Sequence, residues 1–145
     1  MRRRSQKEFW RTPFETAHVM KIVATIARIL LGCVFVFFGL NIFLQFLPMP
    51  PPPSGPAGDF GKALFVSHYI YVVGALQVIG GALCLIGRFV PLGLTLLGPV
   101  IVNILLFHLL LNPTGLPMAI IVSVLALIVL WDHRAAFAGL VKSKA

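Results

Sequence analysis

Three stretches of this chain carry no charged side chain: residues 29–58, 63–87 and 89–131, which are 30, 25 and 43 residues long. Crossing a hydrocarbon core of about 30 Å takes roughly 20 helical residues. The first two stretches therefore hold one crossing each and the third holds two. Within the third, Asn112-Pro113-Thr114-Gly115-Leu116-Pro117 supplies the residue types that stop a helix and turn the chain. The expected fold is all-α: a polytopic membrane protein built as a bundle of four transmembrane helices, at about 21–47, 67–87, 91–111 and 116–131. The fourth is expected to run on into the basic tail. Residues 48–59 hold a proline-rich run with few backbone donors, expected as an ordered, extended loop outside the hydrocarbon. No connection is long enough for a separate domain, so residues 1–145 are expected to form a single unit.

Composition excludes the other classes. The 59% of hydrophobic residues exceeds the roughly 45–50% of soluble domains. The 12 Lys and Arg outweigh 4 Asp and Glu, but they gather near the termini and spare the middle, which argues against nucleic acid and for a bilayer. Eleven of them (Arg2, Arg3, Arg4, Lys7, Arg11, Lys21, Arg28, Arg88, Arg134, Lys142 and Lys144) fall on one side of the expected topology, and only Lys62 falls on the other. The positive-inside rule then places both termini and the Arg88 turn in the cytoplasm. Trp10 and Trp131 would mark the inner interface, Tyr69 and Tyr71 the outer one. The basic–aromatic runs at the ends, around Phe9, Trp10 and Phe14 and around Phe137, Leu140 and Val141, read as membrane anchors on the anionic leaflet.

Between helices in lipid, association rests on small residues and interhelical hydrogen bonds. Gly74, Gln77, Gly81, Cys84 and Arg88 recur at helical spacing on one stripe, and Arg28, Gly32, Phe35 and Gly39 give a weaker one on the first span. Both stripes are expected to face the bundle interior as packing surfaces. A rise of 1.5 Å per residue puts Gln77 about 16 Å and Asn103 about 18 Å above the basic boundary. A Gln77–Asn103 hydrogen bond at the midplane is therefore expected, with a polar ligand site as the alternative. His68 and His108 come to similar heights in the other half, with Asn41 and Gln45 nearby. On their helices they lie roughly 180° and 140° away from the polar stripes, which disfavours haem or metal ligation. A quinone headgroup held between Asn41 and His108 is the one cofactor these residues leave open. Arg28 is expected to snorkel to the surface, with an inward turn to pair as the alternative. No acidic residue falls within a span, since Glu8, Glu15, Asp59 and Asp132 are terminal or in loops, which argues against a proton-coupled pump.

The segments Ala27-Arg28-Ile29-Leu30-Leu31-Gly32, Phe37-Phe38-Gly39-Leu40-Asn41 and Gln77-Val78-Ile79-Gly80-Gly81-Ala82-Leu83-Cys84-Leu85-Ile86-Gly87-Arg88 resemble the DoxX family of small four-helix membrane proteins. The resemblance implies a bacterial or archaeal inner-membrane protein. It points to relatives linked with quinone-dependent thiosulfate oxidation and with membrane oxidoreductase complexes handling oxidative stress. Family members carry a lysine near Asn41 and a glutamate near Gln77, and this chain keeps polar but uncharged groups at both. With no catalytic constellation in the sequence, the expected role is an accessory or scaffolding subunit among membrane redox-complex partners, without intrinsic catalytic activity. The alternative is a small transporter or channel for an uncharged solute. The residues do not fix an oligomeric state.

The eleven-to-one asymmetry sets the first test. With Cys33 and Cys84 replaced, single cysteines at Ser54 and Ser143 should react with an impermeant thiol reagent in intact cells only at Ser54. Labelling of Ser143 alone would reverse the orientation.

Overall fold

The structure, a computed structural model, describes residues 13–48 and 51–141. It is helical, with no strand among the described residues. The elements are α1 (Pro13–Leu44), α2 (Pro56–Val66), α3 (Tyr69–Ile86), α4 (Val90–Leu110), a short 3-10 turn (Pro113–Gly115), α5 (Leu116–Asp132) and α6 (Arg134–Val141). Four helices are long and apolar enough to cross a membrane: α1, α3, α4, and α5 with its leading turn. The run around Phe9 and Trp10, and Lys142 and Lys144, lie outside the described residues, whereas Phe137 of the C-terminal run lies in α6, partly buried against the core.

Two expectations need correction. The 48–59 segment is not extended throughout, because α2 begins at Pro56, where a missing N–H costs a first helical position nothing and φ is already set for a helix. Ala57 of α2 is buried, and Phe60 meets the ring of Phe107 on α4 at 5.6 Å between centroids. The last span also does not continue into the tail. It stops at Asp132, and His133 Nδ1 donates to the Val129 carbonyl at 3.0 Å, so the side chain occupies an end carbonyl before α6 restarts the helix.

The four spans close a ring in which α1 lies beside α3 and α5, and α4 lies beside the same two. Leu31, Cys84, Leu97 and Val129, one from each span, are fully buried together in the core. The closest seams are glycine-lined. Gly32 of α1 faces Gly81 of α3, and a Cβ on Gly81 would lie 3.0 Å from the Gly32 carbonyl oxygen and 3.0 Å from the Val36 nitrogen. The Gly39 region of α1 abuts Gly74 and Gln77 in the same way. On its other side α3 meets α4 through Gly80 and Gly93, where a Cβ on Gly93 would sit 2.9 Å from the Gly80 oxygen. Sequence reading missed this second seam, since Gly80 stood one residue off the stripe already recognised.

Backbone oxygen cannot swing aside as a flexible side chain can, so Gly93→Ala must push α4 off α3. A loss of about 1–3 kcal/mol is expected in reversible unfolding from mixed micelles. Gly98→Ala meets nothing within 4 Å and should be neutral, or stabilising by up to about 1 kcal/mol through helix propensity. Equal effects at the two sites would refute the seam.

Candidate functional site

Two polar constructions stand out in this apolar bundle. The first is at the end that carries the α3–α4 turn. There Arg28 does not snorkel outward: half-buried, it turns across to α3, where its Nη1 donates to the Cys84 carbonyl and to the Leu85 carbonyl, the latter at 3.3 Å. These carbonyls have no intrahelical partner, because a helix leaves its last four unsatisfied, and they carry the negative end of the helix dipole. A surface position would offer Arg28 water, whereas this position offers it two otherwise empty acceptors at its own depth. The turn is shaped to admit it. Gly87 has φ +73°, and a Cβ there would lie 2.6 Å from Arg28 Nη1. Comparing the depth of Arg28 with the end of α3 was the signal that sequence reading overlooked.

The second construction is a partly open cavity of about 100 Å³ in the other half of the ring, lined from all four spans. Phe35 and Phe38 of α1, Gln77 of α3, His108 of α4 and Ala119 and Val122 of α5 are among its lining residues. Gln77 is 8% exposed, and its Oε1 is a buried side-chain polar atom with no hydrogen-bond partner among the described residues. His108 Nδ1 lies 2.8 Å from the Asn112 carbonyl oxygen. A carbonyl only accepts, so this nitrogen carries the hydrogen, and in the neutral ring Nε2 keeps its lone pair. The turn holding His108 is itself tied, since Asn112 Oδ1 accepts from Thr114 Oγ1 at 2.6 Å and from Thr114 N at 3.2 Å. The ring also rests so close to Gly115 that a Cβ there would collide with it.

The structure does not form the expected Gln77–Asn103 bond. Asn103 is exposed, because the buried face of α4 runs through Leu97, Val100 and Ile101 towards Ile104 and His108. At about 100° per residue, Asn103 points elsewhere. Equal depth was the right condition for a partner but not a sufficient one. Asn41 and His108 are not brought together either: Asn41 Oδ1 accepts from Leu47 N at 2.8 Å, holding the chain where it leaves α1, and Asn41 is not part of the cavity wall. His68 is exposed beside the start of α3, stacked on Tyr71 at 5.9 Å between ring centroids, whereas His108 lines the cavity. Among the described residues no group of three or more His, Cys, Asp or Glu side chains is arranged to hold a metal. The residue that reasoning from depth did not join to His108 is Gln77.

Replacing Arg28 tests the clamp. Arg28→Met leaves two helix-end carbonyls without a charged donor and should cost about 1.5–3 kcal/mol of bundle stability. Arg28→Lys, which keeps the charge on a shorter stem, should recover part of the loss. No change in the unfolding midpoint of Arg28→Met would return Arg28 to the surface.

Comparison with curated proteins and with solved structures returned no match. The sequence model of the family described as DoxX matches residues 23–109, which take in α2, α3, α1 from residue 23 onward and all but the last residue of α4, with both glycine seams, the Arg28 clamp, Gln77 and His108. That is more than half of the chain, and the protein accordingly belongs to the DoxX family.

Proposed function

We propose that this multi-pass membrane protein is an accessory subunit that packs into, and seals against lipid, a larger oxidoreductase assembly of the inner membrane, with its termini in the cytoplasm. The observation that supports this reading is the outward surface of α5. Only 17% of its most apolar stretch is buried within the bundle, against 28–33% for the other three spans. Ile120, Ile121, Val124, Leu127 and Trp131 are left exposed along it. That face is a continuous surface on which lipid or a partner helix can pack. Redox chemistry in this reading belongs to other subunits.

The cavity offers a quinone few donors. The Nδ1 hydrogen of His108 is already given to Asn112, so Gln77 alone remains to donate to a quinone oxygen. The cavity also weakens the alternative of a solute channel. Its walls end before the fully buried level of Leu31, Cys84, Leu97 and Val129, which closes the ring towards the Arg28 end.

The test is purification in a mild detergent. The protein should elute in a complex larger than its 15.8 kDa chain, together with a subunit that carries a redox cofactor, and Val124→Gln on the outward face of α5 should reduce recovery of that subunit at least severalfold. Elution as a lipid-bearing monomer or homodimer, unchanged by Val124→Gln, would overturn the reading.

A further inference from the structure

We infer that the cavity between the four spans is a binding site for a small neutral hydroxyl compound, water or a short alcohol, held by Gln77 and His108. This stands apart from the partner proposed above and does not need it. The inference starts from a buried amide. Leaving the Gln77 oxygen unpaired costs about 1–3 kcal/mol, and buried polar groups in native proteins are otherwise almost all bonded. The other candidate partners are accounted for: Asn103 faces away and His108 uses Nδ1 on Asn112. What remains at the cavity is an amide that can donate or accept, since its terminal torsion is broad and roughly two-fold, and the His108 ring, which lines the cavity while its Cε1–Nε2 edge lies against Gly115.

Water meets both, because one hydrogen can go to the Gln77 oxygen and the other to His108 Nε2, whereas an alcohol, with a single O–H, can donate to the Gln77 oxygen and accept from an N–H. The rest of the wall decides the remaining chemistry. Phe35, Phe38 and Val122 offer nothing to an ion, and an unpaired charge in such surroundings is strongly disfavoured. The sheltered space is small: about 100 Å³, below the roughly 150 Å³ of an engineered cavity that takes up benzene, which suits water or a short alcohol.

The experiment uses the full-length, isotopically labelled protein in lipid bilayers and measures the transfer of magnetisation from water by solid-state NMR. The side-chain amide of Gln77 should receive it nearly as fast as Thr114 at the exposed turn, and severalfold faster than the backbone amides of the fully buried Leu97 and Val129. Ala119→Val, which adds two carbons to the cavity wall from α5 and leaves Gln77 in place, should slow transfer to Gln77 severalfold without changing Thr114. Fast transfer that Ala119→Val does not slow would mean that water reaches Gln77 by another route and would overturn the site. Should that variant not fold, the wild-type comparison of Gln77 with Leu97 decides. Ethanol identifies the occupant. A saturable shift of the Gln77 and His108 signals, with loss of water transfer, assigns an alcohol; persistent transfer without a saturable shift assigns water. A Gln77 side chain as dry as Leu97 and indifferent to ethanol overturns the proposal.

Discussion

The close approach of α3 to its two neighbours is the constraint on which the rest of the bundle depends. In a bilayer, lipid tails solvate leucine as well as another helix does, so helices associate through tight backbone approach and hydrogen bonds. Gly32 against Gly81 and Gly80 against Gly93 bring α1 and α4 against opposite sides of α3, at distances where a methyl group would press on backbone oxygen. Once those two seams are set, α5 has one place left, in the groove between α1 and α4. The level where Leu31, Cys84, Leu97 and Val129 meet follows from that arrangement.

The same absence of water governs the polar groups. Thr25, Thr95 and Ser123 each return a hydroxyl to the carbonyl four residues back, at 2.9, 2.9 and 2.7 Å, and so need nothing from a neighbouring helix. Arg28 extends the principle from side chain to helix end: it supplies α3 with donors where the helix runs out of its own. Gln77 breaks the pattern. It lies beside the α1–α3 seam, where its Cβ packs close to Gly39, and its amide ends at a cavity lined from all four spans. Its oxygen is left without the partner that the other polar groups find within the bundle.

What was legible in the residues divides along a physical line. Span number and approximate limits could be read because charge is expensive in hydrocarbon wherever it faces, so its absence from residues 29–58, 63–87 and 89–131 needs no knowledge of neighbours. The Gly74–Gly81 stripe could be read because it is periodic within one helix. The partners of Arg28, Gln77 and Asn103 could not, because each depends on which way two helices are rotated against each other. Sequence spacing gives depth along a helix directly, but gives rotation only relative to that helix's own buried face. For α4, apolar nearly all round, no such face can be seen in advance, and Asn103 was placed inward on depth alone. The α2 helix was hidden differently. A proline run predicts extended chain until one proline, Pro56, happens to occupy the first turn of a helix.

The family match closes at residue 109, just past His108 and before α5. The matched region therefore contains both glycine seams, the Arg28 clamp, Gln77 and His108, which is the scaffold and the polar half of the cavity. The remaining wall, with Met118, Ala119 and Val122, comes from α5, which also carries the least buried outward face of any span. One helix thus sets both the space left beside Gln77 and the surface shown to lipid or to a partner, and small changes in its inward residues alter the first without touching the second. The two properties are separable because they lie on opposite sides of a helix whose position is fixed by α1 and α4, and those in turn are fixed by the glycines of α3.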